Sequence, residues 1–425
     1  MPQPPEQCPD EYRCPGEAAP ISRAVHLGRL ARFYPGCREC PHREETASLP
    51  ARQVKRLAET WQRAANRPLF HGEGAGSDSP NDFTPATAGK IAAAFGAWLR
   101  ERRAGGEESR EPPVAALGAD GSPRSPELVA AVAEGLRWAG CGVVDVGPVT
   151  SACFTLALHH LEADGGILAA SGEGVGAVGL KFWHGASPLS AGEAMDEIRR
   201  LFETGVNRPT RRYGPIYRFP AETSYLAGLS GHYHALRPLG VVVETTSRPL
   251  LAYLDTLTAH TACRIIPCRA APQRLAELIR QEKAHFGVGV DSDAECCQAV
   301  DESGRAIPPE RLFLLVARHL LAGQPGAAVV LEAGWSESLA QAIAGLGSRV
   351  VPSGPRRAEM ARQVCGHCAP LGADRSGRIW YYYSEGARQG YCTADALRTI
   401  TLLLEILSQS DRPLSEVLDA AWPAR

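Results

Sequence analysis

Residues 288–297 read VGVDSDAECC, with Asp291, Asp293 and Glu295 on alternate positions where an apolar run ends. In extended chain, alternate side chains point to one side. Three like charges crowded there repel one another, and burying them unpaired is costly. Two explanations fit: a solvated turn, or a hard divalent cation, which carboxylate oxygens suit as ligands. Two further stretches carry reactive residue types. LAASGEGVGAVGLK (168–181) sets Ser171 just past an apolar run and Lys181 ten residues later. GADRSGR (372–378) sets Asp374, Ser376 and Arg378 on alternate positions of a polar turn. The last group is made of thiols: Cys8, Cys14, Cys37 and Cys40 all lie in the first fifty residues. Cys37 and Cys40 have the spacing of half a structural metal site, and Cys8 with Cys14 supplies the other half. Four thiolates also suit an iron–sulfur cluster. The alternative is an arm of free cysteines. Cys365 and Cys368 flank His367 at the same spacing, without a second pair nearby in sequence.

The elements that position these residues follow from periodicity and punctuation. Leu27, Leu30, Ala31 and Tyr34 repeat at helical spacing between the cysteine pairs, and a second helix is expected over 52–65. Residues 66–82, rich in Gly, Ser and Pro, read as loop. Thr84-Pro85 is an N-cap followed by Pro in the first turn, so a helix should run from there to about Arg103. Strands and helices then alternate. Strands are expected at 114–120, 143–147 and 166–171, with helices at 125–139 and 152–161. The cadence recurs with strands at 239–244, 263–268 and 286–291, and again at 327–333, 349–353 and in a stretch ending in WYYYSE (380–385). A last helix covers about 393–408. The expected fold class is therefore α/β, with three tandem α/β/α domains of mainly parallel strands after a small Cys-rich helical N-terminal module. The boundaries are 1–50 for the module, 51–66 for a helical linker, 67–203, 210–303 and 306–410 for the domains, and 411–425 for a tail. In such sheets ligands sit beyond the carboxyl ends of the strands, so the loops at Ser171, Asp291 and Asp374 should converge on one cleft.

A chain of 425 residues is too long for one ordinary core. Its formal net charge of -2 argues against a basic nucleic-acid surface. No stretch is apolar and long enough to span a membrane, and the start, MPQPPEQCPDEY, lacks the basic and apolar regions of a secretory signal. Thirteen cysteines, mostly in apolar context, suit a reducing compartment. These features lead to the expectation of a cytoplasmic protein.

Order and spacing of the three polar loops resemble the α-D-phosphohexomutases, the phosphoglucomutase/phosphomannomutase family. The likeness runs from about Phe70 to the C-terminus. LAASGEG (168–174) lies over the family's I-T-A-S-H-N-P, and residues 178–181 over N-G-x-K. DSDAEC (291–296) lies over D-G-D-x-D-R, and residues 373–378 over G-E-x-S-G-H. The resemblance implies phosphoryl transfer on hexose phosphates, with Ser171 carrying the phosphoryl group and Lys181 as general acid/base. It also implies Mg²⁺ on Asp291, Asp293 and Glu295, and sugar contacts from Asp374, Ser376 and Arg378. The departures are specific. Two motif arginines fall on Gly76 and Ser122, the loop arginine on Cys296, and His-Asn-Pro on Gly172, Glu173 and Gly174. Glu173 sets a negative charge beside a serine meant to carry phosphate. Some seventeen residues follow the last expected helix, too few for the family's phosphate-binding fourth domain. The expected function is thus a divergent, impaired mutase. The alternative is an inactive relative that binds a sugar phosphate and acts on a protein partner through its Cys-rich module, which carries Zn²⁺ or an iron–sulfur cluster.

Overall fold

Apolar strands that cannot face water on either side must be covered by helices, and this chain does so three times over. The computed structural model describes residues 11–14, 19–37, 40–66, 69–77, 83–104, 112–122, 125–170, 178–268, 272–384 and 390–422. The first sheet sets Gly142–Pro148, Val114–Ala119 and Gly165–Ala170 side by side and parallel, then Val178–His184 antiparallel. The second repeats the order with Arg264–Cys268, Gly240–Thr245, Phe286–Val290 and antiparallel Cys297–Asp301. The third does so with Arg349–Ser353, Ala328–Glu332, Leu371–Ala373 and antiparallel Ile379–Tyr383. In each sheet the third parallel strand thus turns back through a short connection into its antiparallel neighbour. Those three connections are the polar loops at Ser171, Asp291 and Asp374.

Several expectations change. The stretch expected to end in WYYYSE (380–385) divides into two strands, the parallel Leu371–Ala373 and the antiparallel Ile379–Tyr383. The parallel strand is three residues long, too short to carry a periodic signal. Residues 66–82 are not all loop: Phe70–His71 and Gly74–Ser77 extend the first sheet past Val178–His184. Ile216–Arg218, beyond the expected boundary at 203, pairs with Val143–Asp145 of the same sheet. Part of the expected tail is a helix, Leu414–Ala421, that packs on Pro309–Leu320. Among the described residues no helix is long and apolar enough to cross a membrane.

One helix sets the relation between the sheets. Ser151–His160 is buried over its first eight residues, SACFTLAL, on every side. A helix apolar all round must be enclosed by protein. It packs against the first sheet and against Tyr391–Ala394 of the third, and its residues join one buried cluster with Val241, Val288, Val329 and Leu403. Thr150 caps it, the hydroxyl accepting from the Cys153 N–H. Asp395 caps the last long helix, Ala396–Ser408, and its carboxylate also accepts from the buried Tyr225 hydroxyl at 2.9 Å.

The expected start at Thr84-Pro85 holds, with the Thr84 hydroxyl accepting from the Thr87 N–H. That helix, Pro85–Ala104, meets Ser125–Trp138 at two glycines. A Cβ on Gly135 would lie 2.1 Å from the Gly89 carbonyl oxygen, so the two backbones touch there. Gly135→Ala should therefore force the helices apart and lower stability by about 1–3 kcal/mol, the usual cost of overpacking. Thermal melts would show this as a fall in midpoint, while Gly345→Ala, which meets nothing within 4 Å, should leave the midpoint unchanged or raised.

Candidate functional site

The acid loop is pinned from both sides. Asp291 closes its own turn, one carboxylate oxygen accepting the N–H groups of Glu295 at 2.8 Å and Cys296 at 2.9 Å. The Asp293 carbonyl accepts the N–H of Ser151, at the start of the enclosed helix, and the Ala294 carbonyl accepts that of Ala396. Helix-start N–H groups, which lack partners inside their own helices, are satisfied by this loop. Cys297 N–H donates to the Gly377 carbonyl, and Cys296 bridges to Arg378. Ala294 takes the left-handed conformation at φ 61°, a position that costs about 1–2 kcal/mol for a non-glycine residue and holds only because its neighbours are fixed. The result turns Asp293 and Glu295 inward, where they are 3% and 2% exposed.

Glu295 is the hub. Its Oε1 accepts from the Ser151 hydroxyl at 2.6 Å and pairs with Arg357 Nη2 at 2.7 Å. Its Oε2 meets Lys181 Nζ at 3.1 Å and Arg378 Nε at 3.3 Å. Lys181 also pairs with Asp293. Burial opposes ionisation of Glu295, but Arg357, Lys181 and Arg378 outweigh it and hold the carboxyl well below the usual range. For Lys181 burial likewise opposes charge, and Asp293 with Glu295 reverses the effect, so the ammonium is retained far above neutrality. Asp291 goes the other way. Burial, then repulsion from Asp293, pushes it up to about 7.

Arg357 and Arg378 arrive from the third sheet's side. Arg357 opens the helix Arg357–Gly366, is 1% exposed, and lies 4.6 Å above the Trp183 ring. Its backbone N–H donates to Glu73, which also accepts from the Ser190 hydroxyl. Asp374 is buried and braces its own turn, accepting from Ser376, Arg378 and the Trp380 indole. Ser376 is exposed.

Residues 67–208 match the family described as "Phosphoglucomutase/phosphomannomutase, alpha/beta/alpha domain I". The phosphomannomutase/phosphoglucomutase of Pseudomonas aeruginosa is 26% identical over 344 residues, 76% of this chain and 72% of that protein. The Thermococcus kodakarensis phosphoglucomutase/phosphomannomutase is 25% identical over 375 residues, 83% of this chain and 79% of that one. The chain is thus similar to the phosphoglucomutases and phosphomannomutases, with the matched family domain confined to residues 67–208. Likeness of fold extends to a Burkholderia thailandensis phosphoglucomutase/phosphomannomutase family protein, at TM-score 0.72 and 21% identity over 84% of this chain and 80% of that one. A putative phosphomannomutase from Thermus thermophilus gives TM-score 0.70 at 20% identity, covering 84% of this chain and 83% of that one.

Of the residues expected at a phosphohexomutase site, Lys181, Asp293, Glu295, Asp374 and Arg378 meet in one linked cluster, with Asp291 at its edge. Ser171 lies outside the described residues, in the connection from Gly165–Ala170 to Val178–His184. The cluster also holds four side chains that sequence reasoning missed: Ser151, Trp183, Arg357 and Glu73. The one signal for Arg357 was a pair of arginines after Gly354-Pro355 at a helix start.

The resemblance read from the sequence implies a magnesium ion on the acid loop. Mg²⁺ needs near-octahedral oxygen ligands at about 2.0–2.1 Å. Here both oxygens of Glu295 are taken by cationic donors, Lys181 sits on Asp293, and one Asp291 oxygen is taken by backbone N–H groups. Among the described residues no group of three or more His, Cys, Asp or Glu is placed to hold a metal ion. The residues so engaged do not fit magnesium.

In the N-terminal arm, Cys14 is hydrogen-bonded to Cys40, with Cys37 close by, and burial followed by that bond pushes the Cys14 thiol up to about 11. Cys37 and Cys40 are buried. Cys8 lies outside the described residues.

Removing one partner of a buried pair leaves the others uncompensated, at about 3–5 kcal/mol. Glu295→Gln should lower stability by that amount. Urea unfolding followed by circular dichroism would measure it, with exposed Asp196→Asn as the control that should not move.

Proposed function

We propose that this protein binds a hexose phosphate beside the acid loop and moves a phosphoryl group between Ser171 and the sugar, at a low rate. The observation that carries this is the position of Lys181. It lies on the strand that receives the Ser171 connection, with Gly179 registered against Ala170, and its ammonium reaches the acid loop. Held as an ammonium, Lys181 serves as an acid. It donates its proton to Ser171 Oγ as the Oγ–P bond breaks and the new O–P bond forms to a sugar hydroxyl. The hydroxyl proton leaves to water, and the amine between Asp293 and Glu295 regains a proton. The sugar then returns its other phosphate to Ser171. Ser376 and Arg378 are the nearest sugar contacts, with Asp374 holding them in place.

The low rate has a physical cause. Lys181, Arg357 and Arg378 are each bound to carboxylates, so less positive charge is free for the phosphoryl oxygens. Losing one preorganised charge-stabilising donor typically costs about 10²–10³ in rate. Against a typical turnover of about 10 s⁻¹, the expected value is below about 0.1 s⁻¹. Incubation with glucose 1,6-bisphosphate should leave phosphate on Ser171, seen by mass spectrometry. A coupled assay should then show slow conversion of glucose 1-phosphate that Ser171→Ala abolishes. No phosphate on Ser171 would remove the proposal; conversion at ordinary rates would remove the impairment.

We also propose that Cys14, Cys37 and Cys40, with Cys8, hold one zinc ion or an iron–sulfur cluster. The reading rests on the spacing of Cys37 and Cys40 and on the softness of thiolates, which suit either group. Cys14, Cys37 and Cys40 do not by themselves form a three-ligand site among the described residues, so binding would have to draw them together with Cys8. An arm this short has little core, and bound metal adds directly to its folding free energy. Elemental analysis of the purified full chain should give one zinc or a cluster's iron, lost in Cys37→Ser. Absence of both metals would refute it.

A further inference from the structure

A carboxylate with the burial of Glu295 requires a cation, and the only question is which one. Arg357 answers from within the chain. Its Nη2 lies 2.7 Å from Glu295 Oε1, and its guanidinium is 1% exposed. Two features fix it there. Its plane lies over Trp183 at 4.6 Å, and its backbone is tied to Glu73 at the start of a helix. Guanidinium stays charged at any pH a folded protein meets, so it cannot yield its place by losing a proton.

Two further atoms of the same side chain are informative. Nε and Nη1 of Arg357 are buried and have no hydrogen-bond partner among the described residues. Burying unpaired donors costs stability. A residue kept for its hydrogen bonds would not leave two of its three nitrogens idle. What Arg357 supplies is charge, delivered to one carboxylate. Lys181 and Arg378 cover the opposite oxygen of Glu295 in the same way.

We propose that Arg357 is the resident cation of the acid loop, standing in for the divalent metal of family relatives, and that this protein takes no divalent ion there. A metal on Glu295 would have to share an oxygen with an immobilised guanidinium. The inference concerns the loop itself and holds whether or not Ser171 carries phosphate, so its test uses metal alone.

Full-length protein would be titrated with Mn²⁺, read by the electron paramagnetic resonance signal of the free ion. Mn²⁺ favours carboxylate over thiolate, so the N-terminal cysteines do not compete. The wild type should show no stoichiometric site at millimolar Mn²⁺. Arg357→Met, which removes the charge but keeps an apolar stem against Trp183, should bind one Mn²⁺ at least about tenfold more tightly than the wild type, a gain of about 1.4 kcal/mol. Adding Asp293→Asn should abolish that site. Arg357→Lys, which keeps a charge, should remain without metal. Circular dichroism would check that each variant folds. If Arg357→Met does not fold, the wild-type titration still decides. One Mn²⁺ per wild-type chain, lost in Asp293→Asn, overturns the proposal. So does a folded Arg357→Met that gains no site.

Discussion

The buried carboxylate of Glu295 constrains everything around it. Removing such a group from water costs several kcal/mol even after relaxation. Its oxygens recover that cost only if donors reach them from fixed directions. Ser151 and Lys181 come from the first sheet and its enclosed helix, and Arg357 and Arg378 from the third sheet's side. Glu295 itself stands on the second. The three sheets therefore have to hold their mutual positions for the charge to be tolerable. The continuous apolar cluster around Ser151–His160 provides that rigidity.

The repeated strand order explains how the acid loop and the Asp374 turn come to meet. In each sheet the third parallel strand ends and reverses into an antiparallel partner. A loop at that point lies at the carboxyl end of the sheet, where side chains are free of the ladder and helix N-termini point. The same turn is used for three purposes. One connection carries Ser171, one turns acids inward, and one braces itself on Asp374 and sends Arg378 across. The helix starts at Ser151 and Ala396 donate to the acid loop's carbonyls, so the loop is held by backbone as well as by charge.

Charge compensation occupies the same groups that the proposed phosphoryl transfer would use. A lysine or arginine bound to a carboxylate supplies less field to a passing phosphoryl group than a free one does. A site whose cations are all internally neutralised is stable in the absence of ligand, and it stabilises the transferring group less. Under the proposed phosphoryl transfer, stability and rate would be opposed through the same three side chains, Lys181, Arg357 and Arg378.

Much of this was legible in the sequence. The parallel strands and their helices follow from period, because a strand buried on both faces must be an apolar run, and the resemblance to the phosphohexomutases rests on the polar loops that interrupt it. Ser171, Lys181, the three acids and the Asp374 turn are short, contiguous and polar, so they stand out along the chain. What escaped were features with no local signature. Leu371–Ala373 is three residues long, and Gly74–Ser77 looks like loop until Val178–His184 pairs with it. Arg357 looks like any surface arginine at a helix start, yet folding buries it on Trp183 against Glu295, whose partners lie more than sixty residues away along the chain. The sequence by itself determined that three carboxylates would crowd at one strand end. Only the tertiary structure decided what neutralises them, because the counter-ions come from other sheets and are brought together by packing rather than by spacing.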